Sequence, residues 1–195
     1  MGKSTQASLL AQRIGAELNR DVILTREPGG TLLAEKLREL VLQGRDGLID
    51  FRSEALIMAA SRASHVSELI IPGLTRGTDV ICDRFSGSYL AYQGYGRGLD
   101  LDVLKVITSF ASFATEPDVT FWLDGDPGLT IRRKGADLDR IEHEPPDFFS
   151  RVAQGYAELA RINSWISLDA TLSIEELHEE IFATVLRVKQ NLGER

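Results

Sequence analysis

Several short runs in this 195-residue chain carry residue types that could act on phosphate groups. Gly2-Lys3-Ser4, followed by Thr5, is the last part of the phosphate-binding pattern Gly-x-x-x-x-Gly-Lys-Ser/Thr. In that pattern backbone N–H groups surround phosphates, the lysine reaches their outer oxygens and the hydroxyl binds Mg²⁺. Alone, so short a match also reads as an ordinary helix start with Ser4 as its cap. Val80-Ile81-Cys82-Asp83-Arg84 is an apolar run ending in a carboxylate suited to a Mg²⁺ site and a guanidinium able to clamp a phosphate. The same pair also reads as a structural ion pair at a strand end. Thr25-Arg26-Glu27-Pro28-Gly29-Gly30-Thr31 is a rigid turn that exposes backbone and, unusually for a plain turn, carries Arg and Glu. Arg62 lies in an otherwise apolar helical stretch after Ala55 to Ser61 and therefore needs an acceptor. Met58 sits four residues earlier on the same face, where it reads as core more readily than as a ligand contact. Arg132 to Arg140 holds four basic residues in nine: either a solvated segment or an arginine-bearing cover for phosphates.

These groups need elements to position them. Leu9, Leu10, Ile14 and Leu18 recur at helical spacing, which predicts a helix over 4–18. Apolar runs predict strands over 21–25, 79–82, 119–123 and 164–168. Helices are predicted over 31–43, 51–76 (kinked or ended near Pro72), 101–115, 127–134, 147–162 and 173–190. Ser173 and Glu176 supply a capping box to the last of these. Strands alternating with helices imply a mainly parallel sheet with helices on both faces, and such sheets gather their chemistry at the carboxyl ends of the strands. Those ends are Arg26-Glu27, Asp83-Arg84, Asp124 and Asp169. Without repeats or a linker, residues 1–195 form one domain.

Composition narrows the classes. A net charge of −7 argues against nucleic-acid binding, yet it permits a locally positive anion site. The single cysteine, Cys82, excludes an internal disulfide and fits a reducing, cytoplasmic setting. No apolar run is long enough for a membrane span, and the first residues are no signal core. Met1-Gly2 is not read as a lipidation site, because Lys3 and a helical pattern follow.

Taken together, the motifs resemble those of bacterial thymidylate kinases, and the likeness runs in order along essentially the whole chain. Its carriers are Thr25 to Thr31, Asp83-Arg84-Phe85, Ala91-Tyr92-Gln93-Gly94 with Gly96-Arg97-Gly98, Pro117-Asp118 before a strand ending Leu123-Asp124, and Asp139-Arg140-Ile141-Glu142. The resemblance implies an α/β, three-layer P-loop NTPase fold with a mainly parallel sheet and a short lid at about 131–146. It implies transfer of the γ-phosphoryl group of ATP to dTMP with Mg²⁺, and a homodimer. By the same resemblance, Gly2, Lys3, Ser4 and Thr5 would bind ATP, and Ser4 and Asp83 the metal. Glu27 and Pro28 would line the dTMP site, Arg38 and Arg84 would orient its phosphate, and Arg62 and Gln93 would hydrogen-bond the thymine edge. Tyr92 would crowd a ribose 2′-OH, and Arg132 or Arg133 would be the catalytic arginine of the lid, beside Lys3 and Arg84.

The chain departs from the family pattern in places. Met58 replaces a stacking phenylalanine; a thioether still packs on an aromatic face. Tyr89 replaces a small hydroxyl residue, and its ring is expected to make up part of the loss at the base. Ile131 stands where an arginine is common, which leaves Arg132 and Arg133 as alternatives. The first glycine of the phosphate loop, its carboxylate and the strand before it do not precede Gly2. The expectation is therefore a fold with its first central strand missing, and Met1 as an internal residue of the true loop. The competing expectations are a kinase of another nucleotide, or a family member that binds nucleotide without catalysis. The attacking phosphate oxygen of dTMP is already ionised, so no general base is needed, and His65, His143 and His178 are read as non-catalytic.

Overall fold

A computed structural model of the chain describes residues 2–43, 49–125 and 139–193. The expected helix at 127–134, the first part of the expected lid, and Arg132 and Arg133 lie outside the described residues.

Helix α1 (Lys3–Leu18) leads to strand β1 (Val22–Arg26), and α2 (Leu32–Leu42) starts where Thr31 Oγ1 accepts the Ala34 N–H. Asp50 caps α3 (Phe51–His65) by accepting the Arg52 and Ser53 N–H groups. The helix runs on without a break through a widened π-helical turn, Val66–Ile70, into α4 (Ile71–Thr75). Pro72 follows closely on the widened turn, where the backbone hydrogen-bond pattern is already shifted, and the long predicted helix continues past it to Thr75. Strand β2 (Asp79–Asp83) follows. Next comes a helical stretch absent from the sequence reading, α5 (Ser86–Tyr89), continued by π-helical residues Leu90–Gly96. Helix α6 (Leu101–Ala111), β3 (Phe121–Asp124), α7 (Pro146–Ile162), β4 (Ile166–Asp169) and α8 (Ile174–Gly193) complete the order. The capping box forms: Glu176 N–H donates to Ser173 Oγ at 3.1 Å, and Ser173 N–H to Glu176 Oε2 at 3.0 Å.

The strands are parallel, but among the described residues they form two separate pairs rather than one sheet. β1 pairs with β2, Arg26 opposite Asp83; β3 pairs with β4, Asp124 opposite Asp169. Two apolar cores correspond. One lies under α3, the 86–96 stretch, α6 and α7, with Leu104, Phe148, Val152 and Leu159 buried. The other joins α1 and α8 to both sheets through Leu10, Ile14, Leu123, Leu168 and Ile181, with Val22, Ile81 and Phe121 packed against it. Gly155 lets α7 lie close on the 86–96 stretch, since a Cβ there would fall 2.6 Å from the Tyr95 ring. No helix among the described residues is long and apolar enough to cross a membrane.

Glu54 ties the first core together. Its carboxylate is fully buried and accepts from Gln93 Nε2 at 3.0 Å, from Arg97 Nε at 3.0 Å and Nη2 at 3.1 Å, and from Arg140 Nη2. Arg140 also donates through Nε to Val41 O at 2.8 Å, and Arg97 to Glu144. Three distant segments thus share one anion. Burial would raise the Glu54 carboxyl, but its hydrogen bonds to Arg97 and Arg140 and their charges outweigh that and hold it below its ordinary value. A depressed carboxyl contributes stability above its unfolded value and loses that contribution as the pH falls through the folded one. Glu54→Gln is therefore expected to cost about 3 kcal/mol at neutral pH, by leaving two guanidiniums short of charge. In urea titrations the wild-type midpoint should fall below a pH of about 4.5, and the variant should lack this part of the acid loss.

Candidate functional site

The carboxyl ends of β1 and β2 lie side by side, joined beyond the ladder by the Glu27 N–H donating to Asp83 O at 3.0 Å. The start of α1 meets them there. Its N-terminus has no side-chain cap; instead Ser4 Oγ donates to Asp83 Oδ2 at 2.6 Å. The second oxygen, Asp83 Oδ1, is buried without a hydrogen-bond partner. A hydroxyl and a carboxylate with a spare oxygen, beside the positive end of a 16-residue helix, fit a Mg²⁺ ion. Such an ion takes one or two protein oxygens and fills its remaining positions with water and phosphate. No cluster of three or more His, Cys, Asp or Glu suited to a metal occurs among the described residues.

Cations crowd the same corner. Arg84 has a positive φ of 74°. Its Nη1 donates to Tyr156 Oη at 3.2 Å, and its guanidinium lies 5.4 Å from the Tyr92 ring centroid. Tyr156 in turn donates to Ser88 Oγ at 2.8 Å. Arg38 donates through Nη1 to Pro28 O at 2.9 Å. Burial, and then the charge of Arg26, hold Arg38 below its ordinary value, with Arg84 adding to the effect. Arg26 itself donates to both oxygens of Glu35 at 2.9 and 3.0 Å. Of these three guanidiniums Arg26 pairs directly with a carboxylate, Glu35, whereas Arg38 and Arg84 donate to neutral oxygens, so the corner suits an anion by electrostatics. Cys82 lies beneath it, its S–H donating to Arg84 O at 3.0 Å, and burial pushes the thiol well up, leaving it inert.

The acceptor that Arg62 requires is Glu27. Arg62 Nε and Nη2 donate to Glu27 Oε2 at 2.8 and 2.6 Å, and Nη1 donates to Thr108 Oγ1 at 2.5 Å. Both members of the pair are buried. The guanidinium also lies 5.3 and 5.2 Å from the Phe85 and Tyr89 ring centroids. The sequence-predicted base readers are thus held by carboxylates, Arg62 by Glu27 and Gln93 by Glu54. Of the five N–H groups on Arg62, three are committed, which leaves two for a ligand. Tyr89 is buried, and its hydroxyl has no hydrogen-bond partner. Met58 packs beside the core that contains Tyr89.

Contacts thus link Ser4, Glu27 and Asp83 at the ends of β1 and β2, with Pro28 and Arg38, Arg62 and Tyr89, and Arg84 and Tyr92 beside them; Gln93 is instead held at Glu54, and Met58 packs on the first core. Asp124 and Asp169 lie at the ends of the other strand pair; Asp169 caps its own turn by accepting from the Thr171 N–H and hydroxyl. Sequence reasoning missed Tyr156, Ser88, Thr108 and Glu54, which support the site from distant segments. It also missed that His65, three residues after Arg62 on the same helix face, reaches Glu27; that spacing was the available signal.

Gly30 belongs to this arrangement. Its φ is +93°, and a Cβ would meet His65 Cδ2 at 2.5 Å and Thr25 Oγ1 at 2.7 Å. Gly30→Ala should destabilise the fold by about 3 kcal/mol, from left-handed strain and overpacking together. An unchanged urea midpoint would contradict this.

The chain resembles known proteins in sequence and in overall structure. The family model described as thymidylate kinase matches residues 1–181. The thymidylate kinase of Trichodesmium erythraeum is 43% identical over 204 aligned residues, spanning 95% of this chain and 90% of that one. That of Halothermothrix orenii is 44% identical, spanning 94% and 90%. The crystal structure of thymidylate kinase from Ehrlichia chaffeensis superposes with a TM-score of 0.74 at 33% identity, covering 94% of this chain and 91% of that one. With a family match over residues 1–181 and relatives above 40% identity along nearly the whole chain, the chain belongs to the thymidylate kinase family.

Proposed function

We infer that this chain transfers the γ-phosphoryl group of ATP to dTMP, giving ADP and dTDP. Family membership along the chain supports the activity. The observation that supports it at the site is one corner with two halves suited to phosphate: the Lys3-Ser4 helix start, tied to Asp83, and the guanidiniums of Arg26, Arg38 and Arg84, close enough for Arg38 to feel the charge of the other two.

Gly2, Lys3, Ser4 and Thr5 receive the ATP phosphates at the start of α1, where N–H groups point outward. Ser4 and Asp83 would hold Mg²⁺, which when bound neutralises phosphate charge. Arg38 and Arg84 hold the dTMP phosphate. Two like-charged phosphates must be brought into line, so the work of Lys3, Arg38 and Arg84 is positioning and charge compensation. No side chain need accept a proton, because the attacking oxygen is ionised. Glu27 and Pro28 shape the floor of the acceptor site, and Tyr92, held edge-on to Phe148 and Tyr156, limits the space at the sugar. Arg62 offers its two uncommitted N–H groups to the base. Gln93 gives its Nε2 to Glu54, so the group it offers is its amide oxygen. Met58 and Tyr89 supply the packing surface. Burial pushes the Tyr89 phenol up to about 12, so it faces a base as a neutral donor.

The finer reading of the fold is that of a P-loop kinase in which β2 and β3 flank the place of a further parallel strand. The two strand pairs, and α1 packing on the core that both share, support it. The chain works in the cytoplasm.

A second copy of the chain is the proposed partner. Val103, Val106 and Phe110 line the face of α6 opposite its buried Leu104 and Thr108, with Phe110 85% and Val106 71% exposed. Phe113 and Ala63 continue the surface. Contiguous apolar surface of this kind marks an interface. Phe110→Glu is expected to convert a dimer into a monomer in sedimentation or light scattering, with the helical circular dichroism unchanged.

The activity is tested by ADP release from ATP with Mg²⁺ across a panel of nucleoside monophosphates. dTMP should lead clearly, and Arg84→Met should lower kcat/KM for dTMP by about 100-fold. A different leading acceptor, or no ADP release with any, would refute the reading.

A further inference from the structure

His65 is completely buried, and both ring nitrogens are engaged. Nδ1 lies 3.1 Å from Glu27 Oε1, the carboxylate oxygen that Arg62 leaves unused. Nε2 lies 2.7 Å from Thr25 Oγ1. A carboxylate can only accept, so Nδ1 carries the proton. In a neutral imidazole Nε2 then accepts from the Thr25 hydroxyl. The result is one chain of hydrogen bonds with a fixed direction: Thr25 to His65, His65 to Glu27, and Arg62 to both Glu27 and Thr108. It links the end of β1, α3 and α6. The same ring packs edge-on to Gly30, leaving no room for a Cβ there. Beside it Thr31 Oγ1, Ser64 Oγ and Glu68 Oε1 form a second chain at 2.6 Å per step, so α3 grips the 25–31 turn at two places.

This geometry does more than fill space. The Glu27 carboxylate could rotate about its last bond, and each orientation would aim Arg62 differently. Arg62 fixes one oxygen; His65 fixes the other. With both held, the plane of the Arg62 guanidinium is fixed, and with it the N–H groups that remain uncommitted. Removing the imidazole donor leaves a buried carboxylate oxygen unpaired and frees the carboxylate to turn.

We propose that His65 is a positioning residue for the nucleotide acceptor: through Glu27 it sets the orientation of the Arg62 edge that faces the acceptor's base. The proposal rests on reading this site as the dTMP site. His65 touches no reacting atom and moves no proton. Its effect belongs to acceptor binding, neither to ATP binding nor to the chemical step.

The test is steady-state kinetics with dTMP and ATP varied separately on the full chain. His65→Leu keeps the bulk and removes both hydrogen bonds; it is expected to raise KM for dTMP about tenfold, the worth of one hydrogen bond to a charged group. KM for ATP should be unchanged and kcat should stay within about threefold, since the lost interaction is made in ground and transition states alike. His65→Asn, which restores a donor near the Nδ1 position, should recover most of the dTMP KM. If the Leu variant does not fold, Thr25→Val removes the far end of the chain and should raise the same KM by a smaller factor, again sparing ATP. Equal rises in both KM values, a fall in kcat alone, or Leu and Asn variants that behave alike would overturn the proposal and leave His65 a packing residue. A wild-type chain that does not phosphorylate dTMP would instead refute the functional reading.

Discussion

A guanidinium can leave water for the apolar face of a helix only in company with an anion, and at Arg62 the anion is Glu27. Much of the site follows from this pair. Glu27 lies just past the end of β1 and Arg62 near the end of α3, so satisfying both charges brings the 25–31 turn against α3. Once the turn is there, Pro28 O is available to Arg38, Gly30 must lie against His65, and Thr31 can both cap α2 and meet Ser64. A solvent-exposed ion pair would set nothing of the kind, because water competes for each partner and side-chain entropy opposes a single geometry. Burial makes the arrangement unforgiving: the buried carboxylate, imidazole and guanidinium each need partners, and these come from the β1 end with its turn, from α3 and from α6.

The same physics appears a second time on α3, at Glu54. Here one carboxylate serves Arg97 from the end of the 86–96 helical stretch and Arg140 from the segment before α7, and it takes Gln93 as well. One helix therefore carries two charge hubs, Glu54 near its start and Arg62 near its end, eight residues apart. The widened turns after Tyr89 place Gln93 and Arg97 on the side facing Glu54 while Tyr92 faces Arg84. A regular helix would rotate successive residues by a constant angle; extra residues per turn change which face each side chain meets.

Much of the architecture was legible in the sequence because its signals are local. Val80-Ile81-Cys82 before Asp83, and the apolar spacing of Leu9, Leu10, Ile14 and Leu18, need only their neighbours to be read. So does the Ser173–Glu176 box. The helical stretch from Ser86 to Gly96 was not read. Three of its eleven residues are glycine and three tyrosine, which weakens local helix preference, and its order comes from packing on α7 through Gly96 and Gly155. Arg62 announced that it needed an acceptor, but not which one, because Glu27 is 35 residues away. Gln93 gave no sign of Glu54, 39 residues away, for the same reason. A single sheet was expected from alternation; two strand pairs are present among the described residues, since alternation fixes the type and direction of strands but not which edges meet.

The chain is acidic overall, yet its candidate site is a concentration of positive charge, and the two facts are compatible because the cations are arranged locally. Arg26, Arg38 and Arg84 come from the end of β1, from α2 and from the loop after β2. They approach closely enough that burial and mutual repulsion together hold Arg38 below its ordinary value. Leaving cations in such proximity is unfavourable for the fold by itself. Glu35 offsets part of it at Arg26, and Pro28 O and Tyr156 Oη offer Arg38 and Arg84 dipoles rather than charges. A phosphate dianion placed among them would offset the repulsion at Arg38. Local placement of cations, rather than net charge, is thus what would let a protein of net charge −7 accommodate an anion at this corner.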